Sequence, residues 1–384
     1  MLRIGIEAQR IFRKKKHGMD MVALELIRNL QLLDQKNSYY IFTKEDEDMD
    51  VINESENFRI IKVKSSPYPL WEQYYLPRAV KEYKIDLLHC TSNTAPVGLK
   101  IPMVLTLHDI IYLEKLNFTQ GTMYQIFGNL YRRWNVSDVA KRAAHIITVS
   151  DFERNRINSH FGFDPSRVST VYNGVSTHFK KITNKNILRS IKEKYQLPDD
   201  FIFYLGNTDP KKNVAGVLKA LSILKKQNKL HSKLVMLDIS RQFLSGILNQ
   251  IGDAELINDI VFCEYVPNAD LPAIHSQARM FLYPSLRESF GIPIIEAMAC
   301  GVPVITSNTS SMPEVAADAA LMVDPFKPAS IAEAIDKLMN DSSLSNSLSQ
   351  KGIGRAGSFS WLNNAKKTLE IYESIGKRNN LPLH

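Results

Sequence analysis

Two glutamates with seven residues between them, Glu288 and Glu296, frame the segment of this chain whose residue types best suit chemistry. It runs Tyr283-Pro-Ser-Leu-Arg-Glu-Ser-Phe-Gly-Ile-Pro-Ile-Ile-Glu-Ala-Met-Ala-Cys-Gly-Val-Pro303. Pro293 stands where a first-turn proline belongs, and Gly301 with Pro303 reads as a helix stop. Ile294, Ile295, Ala297, Met298, Ala299 and Cys300 leave the intervening helix no polar face, so it should be buried. An unpaired carboxylate in such a place is costly. Glu296 therefore needs a partner, and a pair of sugar hydroxyls is a good one. Ser289, Phe290, Gly291 and Ile292 lead into this helix, and their free N–H groups and the positive helix end would face an anion such as a phosphate.

A cation and a histidine complete the candidate set. Lys211 and Lys212, in Gly206-Asn-Thr-Asp-Pro-Lys-Lys-Asn213, follow an apolar strand-like run. A lysine in that position can neutralise a diphosphate as charge builds on a leaving group; a solvated turn is the plain alternative. His108 ends the run Val104-Leu-Thr-Leu-His-Asp109, which places it at the rim of a sheet, where a histidine also serves structure. Asp109 reads as a turn cap or as the group that orients His108.

The whole pattern resembles the Glu-x7-Glu signature of family 4 of the retaining, nucleotide-sugar-dependent glycosyltransferases. The resemblance rests on roughly a dozen positions in a strand–loop–helix context, from Pro284-Ser285 through Glu288-Ser-Phe-Gly291 to Glu296-Ala-Met-Ala-Cys-Gly-Val-Pro-Val304. It implies that Glu288 faces the donor sugar ring and that Glu296 holds the ribose; the plain alternative for Glu288 is a loop carboxylate paired with Arg287 or a lysine. It also implies that Lys212 binds phosphate with Lys211 as its basic neighbour, and that His108 contacts the transferred sugar or orients the leaving phosphate. Val266, in Tyr265-Val-Pro-Asn-Ala-Asp-Leu271, lies in a loop that in relatives reads the base through backbone groups. Gly18 stands where relatives carry two or more glycines near the donor phosphates. Asn207 occupies the place of an expected arginine after Gly206, and Asp238 the place of a common glycine. No metal ligand and no cofactor is implied beyond a nucleotide-diphosphate sugar as co-substrate. The mechanism implied is front-side attack, with no separate nucleophile. Trp71-Glu-Gln73 and Leu76-Pro77 resemble a variant frequent in bacterial polysaccharide enzymes, which favours a glycan or lipid-linked sugar acceptor in surface-glycan or lipopolysaccharide assembly.

The elements that must position these residues are legible as rhythm. Short apolar runs alternate with helical stretches at Arg3–Glu7, Arg59–Val63, Leu87–Cys90, Val104–Leu107, Ile146–Val149 and Val168–Tyr172. After the Lys- and Asn-rich stretch Lys180–Lys194 the rhythm restarts at Phe201–Leu205. It continues at Leu234–Leu237, Ile260–Cys263, Met280–Tyr283, Val302–Thr306 and Leu321–Val323. Continuous apolar strands between helices predict parallel sheets covered on both faces. Two such series in 384 residues predict two Rossmann-like, doubly wound α/β domains, 1–178 and 200–358, joined by a linker 179–199. The resemblance gives these the GT-B fold, two domains facing a cleft, with the acceptor on the first and the donor on the second. It also gives 359–384 as a closing helix that crosses back, and Asn173-Gly174-Val175 as a junction suited to a left-handed glycine.

Composition narrows the partners. No apolar run approaches the length of a membrane span, and Met1–Glu7 reads as a strand, not a leader. Cys90, Cys263 and Cys300 read as buried free thiols in a reducing compartment, so a cytoplasmic location is expected. The net charge of +8 suits an anionic substrate or membrane face; no nucleic-acid-binding signature accompanies it. Met123, Ile126, Phe127, Leu130 and Trp134 fall on one helical stripe beside Arg132 and Arg133, with Arg13–Lys16 as a second basic run. The stripe reads as a core-facing helix, with peripheral contact to the inner membrane as the alternative. Against the transferase stand a nucleotide-sugar 2-epimerase of the same fold and a non-catalytic nucleotide-sugar-binding partner. A dinucleotide dehydrogenase fits worse, because no Gly-x-Gly-x-x-Gly follows either opening strand.

Overall fold

In the computed structural model of the chain the described residues are 1–14, 16, 18–44, 46, 48–114, 123–379 and 381; of 49, 114, 123–127 and 129 the backbone alone is described. The chain divides into two compact units, Met1–Gly174 with Trp361–His384, and Val175–Ser360.

The first unit is built on β1 (Arg3–Glu7), β2 (Ser38–Thr43), β3 (Phe58–Lys62), β4 (Leu87–Cys90), β5 (Met103–Thr106), β6 (His145–Thr148) and β7 (Val168–Thr170). They form one seven-stranded sheet in the order β3-β2-β1-β4-β5-β6-β7, every neighbour parallel. Ile4 pairs with Tyr39 on one side and Leu87 on the other. Both faces are covered. Ile4, Ile6, Tyr39 and Ile41 pack with the helix Gly18–Leu33 and with Ala365, Tyr372 and Ile375 of the helix Trp361–Arg378. Tyr40, Phe42, Leu88 and Cys90 point the other way, into Trp71, Leu76, Val136 and Val139. The last helix is tied to the sheet by a buried chain in which His89 lies 2.6 Å from the Tyr372 hydroxyl and 2.7 Å from that of Thr106.

The second unit repeats the plan with β8 (Phe201–Tyr204), β9 (Lys233–Leu237), β10 (Ile260–Cys263), β11 (Met280–Tyr283), β12 (Val304–Ser307) and β13 (Leu321–Val323). Their order is β10-β9-β8-β11-β12-β13, again all parallel. Ile202, Met280, Leu282 and Ile305 share a core with Val217, Leu221, Leu244 and Ile335. Phe203 and Phe281 face away from it, against the His275 ring.

In each sheet the strand order reverses once, between β1 and β4 and between β8 and β11. In open α/β sheets such reversals leave a crevice at the carboxyl ends of the two strands, where ligands bind. The chemistry must therefore be sought after β1 and β4, and after β8 and β11.

Four readings change. The stretch 179–199 is not a bare linker: it carries the helix Lys185–Tyr195, whose Asn184 side chain accepts from the N–H groups of Asn186 and Ile187. Its Ile191 is buried, and Asp270 holds both Lys194 and Tyr195. Gly174 is not among the left-handed glycines, which are Gly162, Gly252, Gly291 and Gly301 among the described residues. Ser38–Thr43 is a strand with partners on both sides, although its paired tyrosines blur the apolar signal. On the helix Met123–Arg142 the core side is Val136, Val139 and Ala140, while Leu130 and Trp134 are exposed. The side chains of Met123, Ile126 and Phe127 lie outside the described residues, as does Lys15. Cys90, Cys263 and Cys300 are free and buried, as expected.

Candidate active site

After β8 the chain makes a tight turn that ends in a short helical stretch, Pro210–Lys212, and a left-handed Asn213. Asp209 caps it by accepting from Lys211 N–H. Tyr204, at the end of β8, donates its hydroxyl to the Lys212 carbonyl at 2.8 Å, and the Asn213 amide reaches the carbonyls of Pro284 and Pro325. Gly216 must be small, because a Cβ there would meet the Asn213 side chain at 2.3 Å. This lattice aims Lys212 across the strand-order reversal. Its ammonium donates to Glu288 at 2.6 Å and to the hydroxyl of Tyr283, the last residue of β11, at 2.7 Å. The Lys212 and Glu288 side chains are only 16% and 11% exposed. The Tyr283 phenol is pushed far above its usual range, first by burial and then by the Glu288 charge, so it stays protonated.

Glu288 is held from below. Its N–H donates to Ser310 Oγ at 3.1 Å, from a residue in the left-handed region. The Ser311 hydroxyl lies 2.9 and 3.0 Å from the carbonyls of Glu288 and Phe290 and shares its hydrogen between them. Leu286 N–H donates to the Lys211 carbonyl at 2.7 Å, joining the two loops directly. The spacing Ser311-Met-Pro-Glu314 reads in the sequence as a capping box, but the Ser311 side chain caps no helix; its hydroxyl is spent on the Glu288 loop instead. Tyr283, Ser310 and Ser311 are site residues that the sequence does not announce, because contacts across 22 to 71 positions carry no local pattern.

The helix Ile292–Ala299 follows, entered through Gly291 at φ 101° and with Pro293 in its first turn. Ile294, Ile295, Ala297 and Met298 are buried. Among the described residues nothing hydrogen-bonds to the Glu296 carboxylate, and none accepts from the N–H groups of Gly291 and Ile292. Glu296 keeps part of its surface open, while the crowding of its carboxyl by protein pushes its pKa up to about 8. Phe290 is buried against Phe359, and Val266 is buried beside the exposed Tyr265. Asn207 is exposed, its side chain accepting from Asp209 N–H; the Lys211 ammonium stands 3.8 Å from Asp209, and neither contacts Glu288. Asp238, which the resemblance puts in a glycine's place, takes the left-handed conformation a glycine would supply.

His108 and Gly18 belong to the first unit. The His108 backbone N–H donates to Asn93 at 2.7 Å, and its Nε2 lies 3.0 Å from the Thr91 carbonyl. Burial holds the imidazole below its usual pKa, so the ring is neutral. A carbonyl only accepts, hence Nε2 carries the proton and Nδ1 presents a lone pair. Asp109 caps the following turn through Ile111 N–H. Gly18 opens its helix with no unusual dihedral, and a Cβ added there would meet nothing among the described residues within 4 Å. Among the described residues no group of three His, Cys, Asp or Glu side chains is placed to hold a metal ion. A hollow of about 680 Å³ on the first unit is lined by Asp151, Tyr172, Lys367 and Arg378 and touches none of these residues.

Against known proteins, the chain is 31% identical over 299 residues to the O-antigen chain mannosyltransferase B of Escherichia coli, covering 77% of this chain and 76% of that one. The chain belongs to the glycosyltransferases. Family models for "Glycosyl transferases group 1" and "Glycosyltransferase Family 4" match residues 189–355 and 17–179. The serotype-specific mannosyltransferase WbdA of Escherichia coli is 27% identical over 250 residues, and this glycosyltransferase spans 31% of its length. The fold is that of GT-B enzymes: the Anabaena protein HepE, solved with UDP-glucose, superposes with a TM-score of 0.75 at 16% identity, over 97% of this chain and all of that one. The group 1 match contains the Lys212–Glu288–Glu296 constellation in full; His108 and Gly18 lie in the family 4 match.

Proposed function

We propose that this glycosyltransferase moves mannose, with retention of configuration, from a nucleoside-diphosphate mannose to a hydroxyl of a surface glycan of the O-antigen kind. The observation that carries the reading is the Lys212–Glu288 pair at the strand-order reversal of the second unit, beside an open helix end and an unpaired Glu296. The choice of mannose draws on the names of the two mannosyltransferase relatives. Gly291 and Ile292 N–H groups and the helix dipole meet the diphosphate, with Lys212 adding charge and Lys211 a neighbouring cation. Glu288 accepts from hydroxyls of the donor sugar, and Glu296 from the ribose diol. The C1–phosphate bond breaks as the acceptor oxygen bonds C1 from the same face, and the acceptor proton passes to the departing phosphate oxygen. The protein supplies position and electrostatics. Neutral His108, on the first unit, presents Nδ1 as a hydrogen-bond acceptor and is not a general base. Exposed Leu130 and Trp134 suit a lipid-linked acceptor at a membrane face, and three buried thiols suit a reducing compartment such as the cytoplasm.

The test is turnover of the full chain with GDP- and UDP-linked mannose and glucose, octyl α-mannoside and EDTA, with the product read by proton NMR. An α-linked octyl disaccharide from a mannosyl donor is expected. A β-linked product, conversion of the donor to its 2-epimer, or a strict need for added divalent metal would contradict the proposal.

A further inference from the structure

The other strand-order reversal, in the first unit, holds a cation that the transfer step does not use. Arg10 follows β1 by three residues, in a turn anchored by Ala8 N–H on the Phe42 carbonyl and by the buried Ile11 and Phe12. Its guanidinium lies over the Tyr68 ring, 4.9 Å from the centroid. Tyr68 is itself fixed: its hydroxyl donates to Glu72 at 2.7 Å and lies 2.7 Å from the hydroxyl of Thr94, which follows β4. Glu72, fully buried in the stretch Trp71–Tyr75, also accepts from Thr94, Gln73 and Tyr131. The ring under Arg10 is thus fixed by Glu72 in the stretch Trp71–Tyr75 and by Thr94 after β4.

The guanidinium has no such satisfaction. No salt bridge or hydrogen bond reaches it from the described residues, and its Nε is buried without a partner. Glu7 acts on it only through its charge, because the Glu7 carboxylate is engaged by Gln9 and Thr91. A guanidinium presents five donors in a planar fork that matches the oxygens of a phosphoryl group two at a time. Stacking on an aromatic ring holds that fork without occupying a single N–H. A cation with its donors vacant, held rigid where open α/β sheets bind ligands, is a receptor waiting for an oxyanion.

We propose that Arg10, held by Tyr68, is a phosphoryl-binding subsite of the first unit. Its two sources of phosphate rest on the transferase reading: the phosphate linkage of a lipid-borne acceptor, or the diphosphate of the donor.

The experiment is calorimetric titration of the full chain and its R10Q and R10K variants with three probes. These are octyl diphosphate, octyl α-mannoside as its uncharged counterpart, and the nucleotide sugar that binds the wild type. R10Q is expected to lose at least tenfold in affinity for one phosphorylated probe, with R10K intermediate and octyl α-mannoside unchanged in all three proteins. Loss on octyl diphosphate assigns the subsite to the acceptor, and loss on the nucleotide sugar assigns it to the donor. Equal affinities of wild type and a cooperatively melting R10Q for both phosphorylated probes would overturn the proposal, leaving Arg10 a packing residue. If R10Q fails to fold, equal affinities of wild type and R10K overturn it in the same way. A wild type that binds no nucleotide sugar would instead sink the transferase reading, and the octyl diphosphate titration would still decide the role of Arg10.

Discussion

At the scale of single residues the site is a problem in charge. Lys212 and Glu288 meet at 2.6 Å with little solvent around them, so each charge is screened mainly by the other and by Tyr283. Removing one partner strands the other, which is more costly than the pair itself is stabilising. Glu288→Gln keeps shape but loses the charge; turnover should fall at least about a hundredfold, equivalent to about 2.7 kcal/mol of barrier, with a lowered melting temperature because Lys212 is left without its counter-charge. Wild-type kcat in this variant would remove Glu288 from the chemistry. Glu296 poses the opposite problem, a carboxylate with no partner whose pKa is pushed up to about 8 by burial. If the ionised form accepts from a diol, donor binding below pH 8 must first expel a proton. Donor affinity should therefore rise as pH climbs from 6 to 8 and level off above, and Glu296→Gln should bind weakly with that slope gone. The same raised pKa makes Glu296 a drain on stability at higher pH: the folded protein keeps a proton that the unfolded chain loses, so stability from this group is full below about pH 4.5 and falls as pH rises through 8. A pH-independent affinity in the wild type would show that Glu296 is not at the diol.

At the scale of elements, what positions these groups is a set of loops braced by serines. Ser311 gives its hydroxyl to two carbonyls of the Glu288 loop, so Ser311→Ala should cost about 1–2 kcal/mol in thermal denaturation and raise the KM for donor more than it lowers kcat. A destabilised variant with an unchanged KM would confine Ser311 to packing. These braces also mark where a sequence stops being readable. Strands such as Ile260–Cys263 and Met280–Tyr283 appear as unbroken apolar runs because parallel strands are buried on both faces, and the structure keeps their bounds. The helix bearing Glu296 is announced by Pro293 and Gly301. Ser311 reads locally as the start of a capping box, because its true partners lie some 20 residues upstream and are set by tertiary packing. Gly174 misleads for a related reason: a glycine permits the left-handed region but does not require it, and here Asp238 occupies that region while Gly174 does not. Arg10 shows nothing in the sequence either; its meaning arises only when Tyr68 and Thr94 are brought beside it.

At the scale of the whole molecule, two units repeat one architecture, and each gathers polar side chains at the place where its strand order reverses. The second gathers Lys212, Tyr283 and Glu288; the first gathers Glu7, Arg10, Thr91 and Thr94. The net charge of +8 fits substrates that carry phosphate. The most direct measurement is the shift in thermal unfolding of the wild type and Lys212→Ala across GDP-, UDP-, ADP- and TDP-linked sugars. At about 100 times its dissociation constant the true donor stabilises by about 2.7 kcal/mol. Selective stabilisation of the wild type by one nucleotide sugar, largely lost in Lys212→Ala, is the predicted result. No response to any nucleotide sugar, or an equal response in the variant, would contradict the placement of the donor at Lys212 and Glu288.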